Sequence, residues 1–100
     1  MRSPYSDLCS SVIWMLKEFK RIRPIEIAEM LEAKPKSVRD ELRRLSEQCI
    51  LKEFITKEKT GVATYYIMNE EAKQASVSFL KDLARKTWKF NHKYTTETRA

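Results

Sequence analysis

The segment from Pro24 to Leu51, PIEIAEMLEAKPKSVRDELRRLSEQCIL, constrains the fold more than any other part of this chain. It holds two amphipathic stretches, one on each side of Glu32-Ala33-Lys34, and each stretch opens on a proline, Pro24 and Pro35. Proline has no amide hydrogen, so it suits the first turn of a helix, where that donor would have no intrahelical partner. In the first stretch Ile27, Ala28 and Leu31 take one side of a helix, with Ile25 and Met30 at its edges and Glu26 and Glu29 toward water. In the second, Val38, Leu42 and Leu45 recur at helical spacing, and the helix runs from Pro35 to about Gln48. Glu32-Ala33-Lys34 makes the turn between the two.

Further elements flank this pair. Ser6 is placed to cap a helix running to about Phe19, with Asp7 in its first turn. Leu8, Val12, Met15, Leu16 and Phe19 share one stripe of that helix, and Trp14 points nearly opposite, beside Ser10 and Lys17. A wet Trp is either incidental or part of a partner surface. Lys20 to Arg23 form a basic link in which Ile22 makes a one-rung strand. Leu51 to Lys57 and Val62 to Met68 carry the β-branched and aromatic residues of two strands, joined by Glu58-Lys59-Thr60-Gly61. The single glycine falls where a hairpin needs positive φ. Asn69 caps a fourth helix, opened by Glu70-Glu71 and running to about Trp88. The class expected is α+β, mainly α, in one domain over residues 1–88, followed by a basic, flexible tail over 89–100.

Composition narrows the function classes. The 100 residues include 42% apolar ones, enough for one modest core. No apolar run approaches the roughly 20 residues that span a bilayer, and Val12 to Leu16 is too short for a secretory signal. An intracellular protein with free thiols at Cys9 and Cys49 is expected, with no membrane partner. One glycine excludes a phosphate-cradling loop, and His92 with two distant cysteines makes no zinc spacing. The chain offers no carboxylate cluster or nucleophile of the kind enzymes use, so neither catalysis nor a cofactor nor a metal is expected. Twenty Lys and Arg against 14 Asp and Glu, a formal charge of +6, favour a polyanionic partner such as nucleic acid.

With Val38, Leu42 and Leu45 inward, the opposite face of their helix carries Lys36, Arg39, Asp40 and Arg43, spaced as one contiguous stripe. Arg39 and Arg43 are the candidates for base reading, because a guanidinium matches the O6 and N7 acceptors of guanine. Lys36 and Ser37 are assigned to phosphate or the groove entrance, and Lys34 and Arg44 complete the basic run. Asp40 either accepts from a cytosine amine or, as the commoner outcome, pairs with Lys36 or Arg43. Lys57 and Lys59 flank the hairpin tip, within reach of phosphate or the minor groove. A solvated charged face is the competing reading of the stripe, and ordinary loop charge that of the two lysines.

The order helix, helix, turn, helix, hairpin, helix resembles the winged helix-turn-helix proteins, in particular MarR-, ArsR- and Lrp-type regulators and small archaeal and viral regulators. The residues that carry the likeness are Pro24-Ile25-Glu26-Ile27-Ala28, Val38, Leu42 and Leu45, and Tyr65-Tyr66-Ile67 before Asn69. Two positions depart from it: Cys49 stands where such families usually have Gly, and Lys34 where many have Ser or Thr. The resemblance implies a sequence-specific regulator of transcription that binds double-stranded DNA. Its recognition helix, about residues 35–48, would enter the major groove, and its wing, about residues 57–62, would lie on the backbone or minor groove. The fourth helix has an unusually wide apolar arc, and with Trp14 it suggests a homodimer through Trp14, Val77, Leu80, Ala84 and Trp88 on a palindromic site. Burial of that arc within its own domain is the alternative. A winged helix serving as a protein-interaction module is the competing function.

Overall fold

A computed structural model describes residues 3–86 as a mainly helical α+β domain with one antiparallel hairpin. In chain order the elements are α1 (Leu8–Glu18), α2 (Pro24–Leu31), α3 (Pro35–Glu47), a 3₁₀ segment (Ile50–Phe54), β1 (Ile55–Thr60), β2 (Ala63–Met68), α4 (Glu70–Lys73) and α5 (Val77–Arg85). Trp88 and the tail 89–100 lie outside the described residues.

The two-helix unit follows its sequence closely. Val38, Leu42 and Leu45 are fully buried, and so is Ile27 of α2. The turn between the helices forms because Glu32 takes a left-handed conformation, φ 54°. Ala33 N–H then reaches back to the Ala28 carbonyl at 2.9 Å, which satisfies an orphan acceptor at the end of α2. At the other end, the Glu26 carboxylate accepts from the Arg23 backbone N–H at 2.9 Å, so Glu26 braces the start of α2 rather than only facing water.

Helix α1 is the centre of the domain and packs against α2, α3, α5 and β2. Val12, Ile13, Met15 and Leu16 are all buried, a wider arc than the expected stripe. Trp14 is half-buried against that core, not a lone wet Trp. The cap is Asp7 and not Ser6: its Oδ2 accepts from Ser10 N–H at 2.8 Å.

The hairpin is shifted from its expected bounds. Cys49 is extended, with φ −136°, so α3 ends without a left-handed residue, and the chain enters the 3₁₀ segment where a strand was expected. Residues three apart eclipse in such a turn, which sets Leu51, fully buried, and Phe54 toward the core. The strands pair from Ile55↔Met68 to Thr60↔Ala63, leaving only Gly61-Val62 as the loop. Gly61 has φ 63° and Val62 does not share that sign, the pattern of a type II′ turn, whose twist matches paired strands. Ile22 adds the expected single rung, exchanging backbone bonds with Tyr66 at 3.1 and 2.8 Å.

The fourth helix is two helices. Asn69 caps α4 as expected, accepting from Ala72 N–H at 2.8 Å, but α4 stops at Lys73. Ser76 then caps α5 by accepting from Phe79 N–H at 3.1 Å. Lys17 of α1 binds the Ala75 carbonyl freed at the break, and Lys73 at the end of α4 binds the Phe19 carbonyl at the end of α1, so the two contacts fix the break against α1. The break redirects the apolar arc. Val77, Leu80 and Ala84 enter the domain's own core, so they are not available to a second chain, while Phe79 on the other side is 55% exposed.

Candidate functional site

Alternation along a strand sends every second side chain to the same face. Lys57 and Lys59 therefore project together from β1, opposite their pairing partners Tyr66 and Thr64 on β2. That face of the hairpin looks across at the outer side of α3. Between them lies a cleft of about 460 Å³, lined by Lys36, Arg39, Asp40 and Arg43 of α3, by Lys57, Lys59, Thr64 and Tyr66 of the hairpin, and by Pro24. Five of these residues are cationic and one is anionic. Lys36, Arg39 and Arg43 are exposed, because Val38, Leu42 and Leu45 hold the other face of α3 against the core.

The charges fall into two sets. Asp40 accepts from Lys36 Nζ at 3.0 Å and from Arg43 Nη2 at 2.9 Å, one oxygen to each. These bonds, the one from Lys36 foremost, hold the Asp40 carboxyl below its ordinary pKa. Lys57 Nζ donates to Glu47 at 2.6 Å, which pushes the ammonium up and the carboxyl down and ties β1 to the last turn of α3. The side chains of Arg39 and Lys59 make no ion pair or hydrogen bond with any described residue. The opposite face of the hairpin is different. There Arg21 bonds Glu58 at 2.9 Å and lies 4.3 Å over the Tyr65 ring, so its charge is already engaged.

Of the nine residues assigned from sequence to a binding face, six line this cleft: Lys36, Arg39, Asp40, Arg43, Lys57 and Lys59. Lys34 and Ser37 are exposed at the start of α3, outside the cleft lining. Arg44 is a correction. Its guanidinium turns away from the cleft and grips Glu41 at 3.0 and 2.9 Å, the Ala84 carbonyl at 2.8 Å and the Cys9 sulfur at 3.6 Å. One helical position past Arg43 rotates a side chain by about 100°, enough to carry it from the cleft toward α1 and α5. Arg44 is thus a clamp joining α3 to α1 and α5, not part of the cleft.

Within this clamp, burial opposes ionisation of Glu41, but the hydrogen bonds and charge of Arg44 outweigh it and its carboxyl stays below its ordinary value. The same burial, with Glu41 beside it, pushes the Cys9 thiol up to about 11. Burial also raises Cys49, whose Sγ–H points at the Leu45 carbonyl. Both thiols are therefore held protonated and unreactive near neutral pH.

Sequence reasoning missed Thr64, Tyr66, Pro24 and Glu47. The strand period makes Thr64 and Tyr66 legible once the register is known. Glu47 has no such signal, because its partner Lys57 lies on another element. Among the described residues no group of three or more His, Cys, Asp or Glu is placed to hold a metal ion. No described helix is long and apolar enough to cross a membrane. No known protein family matches the chain, and no curated protein is similar to it in sequence.

Proposed function

We propose that this protein is a winged helix-turn-helix regulator of transcription that binds double-stranded DNA in a sequence-specific manner. In this reading α2, the turn and α3 are the helix-turn-helix and β1–β2 is the wing. Helix α3 enters the major groove. At 13 residues it is about 20 Å long, ample to lie along a groove roughly 12 Å wide. Arg39 and Arg43 read base edges, Lys36 meets phosphate at the groove entrance, and Lys57 and Lys59 hold the adjacent backbone. The observation that carries this reading is the cleft itself, where five cations from two elements converge on one concave face. A merely solvated helix face would not be met by two further lysines on a facing strand.

The test is direct. Selection of bound sequences from a random duplex pool should return a motif. Arg43→Ala should then lower discrimination by about 1–3 kcal/mol if Arg43 reads a base. Lys59→Ala should weaken all duplexes alike and flatten the salt dependence. Equal losses on matched and random duplex for both variants would remove the base-reading assignment.

A homodimer on a palindromic site stays part of the proposal with a changed surface. Val77, Leu80 and Ala84 are withdrawn as contacts, and Phe79 with Phe54 and Leu83 offers the apolar face instead. That same face favours the second reading, a protein-interaction module. The module predicts capture of a protein partner and no salt-sensitive duplex affinity. Light scattering that finds only the 11.9 kDa species at micromolar concentration would rule the homodimer out.

A further inference from the structure

We propose that Asp40 and Glu47 set specificity by acting as internal substitutes for phosphate, occupying cleft cations so that arbitrary duplex binds weakly. This rests on the DNA-binding reading above and names how the same cleft discriminates. Of the five cations lining the cleft, three are held by these two carboxylates: Lys36 and Arg43 by Asp40, and Lys57 by Glu47. Only Arg39 and Lys59 stand without a described partner.

The geometry makes the substitution asymmetric between matched and random DNA. Random duplex offers phosphate oxygens and no favourable base edge. To engage Lys36, Arg43 or Lys57 it must displace a carboxylate that already makes a 2.6–3.0 Å bond, and it brings its own negative charge toward that carboxylate. A matched site does not require that exchange at Arg43. Asp40 binds a single nitrogen of Arg43, Nη2, and a guanidinium has five N–H donors in a fixed fork. Arg43 can keep Asp40 on one edge and present another to guanine, already oriented and with less side-chain freedom to lose. These ion pairs are exposed by about half, so they are weak enough to open where a matched complex needs a phosphate contact. Glu47 does the same for the hairpin: it parks Lys57 against α3 until a strand of DNA lies in the cleft.

The experiment compares Asp40→Asn, Glu47→Gln and a control, Glu58→Gln, in the full chain. The control makes the same change in net charge, but its partner Arg21 is on the other face of the hairpin. Fluorescence anisotropy would follow binding to a selected duplex and to a scrambled duplex of equal length at about 50 and about 200 mM salt. Asp40→Asn frees two cations, so the log–log salt slope for scrambled duplex should steepen by about 1.8. That is about a 12-fold difference in the affinity change between the two salts. Glu47→Gln frees one and should steepen it by about 0.9, or roughly 3.5-fold. The ratio of selected to scrambled affinity should fall for both, and Glu58→Gln should match the unaltered protein. If Asp40→Asn behaves like Glu58→Gln while the unaltered protein binds selected duplex, the substitution mechanism is wrong and the DNA reading survives. If the unaltered, folded protein binds neither duplex at either salt, both fall together.

Discussion

Replacement of Arg44 by alanine separates the structural role of this residue from a DNA-contacting one. Arg44 is 35% and Glu41 15% exposed at the side chain, so their pair is largely shielded from water without being sealed from it. Removing one partner of a fully buried pair costs about 3–5 kcal/mol, because the remaining charge is stranded. Partial exposure screens that penalty, and the Ala84 carbonyl loses its donor as well, so the expected cost is about 2–3 kcal/mol. With an m-value of about 1–1.5 kcal/mol/M for a chain this small, the urea midpoint should fall by about 2 M at unchanged slope. The pH dependence supplies a second readout. In the unaltered protein the folded-state pKa of Glu41 is depressed below 4.5, so its contribution is fully present above 4.5 and is lost as pH falls through the lower folded-state value. Without Arg44, burial is the largest influence left on Glu41, outweighs the hydrogen bond with Cys9 and raises its pKa. The variant then carries a penalty above that pKa which protonation relieves. The stability gap between the two proteins should therefore narrow from pH 7 to about pH 4. Equal midpoints, or a gap that does not narrow, would refute the clamp. Loss of duplex binding by a variant shown to be folded would return Arg44 to the contact surface.

Two other perturbations test the local geometry. Asp7→Ala should cost about 1 kcal/mol in thermal or urea unfolding near neutral pH and Asp7→Asn somewhat less, since Asn keeps a capping oxygen but loses the charge and the ion pair with Lys81. The Ser10 backbone N–H is the largest cause of holding Asp7 at about 2 against 3.8, so the charge-dependent part of its contribution is present above pH 3.8 and is lost as pH falls through about 2. An Asp7→Ala variant whose deficit persists unchanged at pH 2 would disprove the charge-assisted cap. Glu32→Gly should stabilise the protein by about 0.5–1 kcal/mol, because φ 54° strains any residue with a Cβ and glycine is free of that strain. A fall in melting temperature would mean that contacts of the Glu32 side chain outweigh the backbone strain.

What could be read from the linear chain is what depends on neighbours within one or two turns. Pro24 and Pro35 opening their helices, Val38, Leu42 and Leu45 on one face, Lys36, Arg39, Asp40 and Arg43 on the other, Gly61 at the tip and Asn69 as a cap are all consequences of local geometry. That is why the outer stripe of α3 is legible in the amino-acid order by itself. Tertiary structure alone decided what covers each face. An apolar arc on α5 announces that something will bury it. Only the fold shows that α1 does so, which takes Val77, Leu80 and Ala84 out of any interface and leaves Phe79 outside. The exchange of one long helix for α4 and α5 has the same origin: Lys17 reaches from distant sequence to satisfy the Ala75 carbonyl that the break exposes, and Lys73 ties the end of α4 back to the Phe19 carbonyl of α1. Arg43 and Arg44 state the division most sharply. They are adjacent and chemically identical, yet the helical twist sends one into the cleft and the other to a carboxylate one turn away and a carbonyl 40 residues along the chain. Local periodicity determines the direction in which a side chain points, and the long-range packing determines what it meets there.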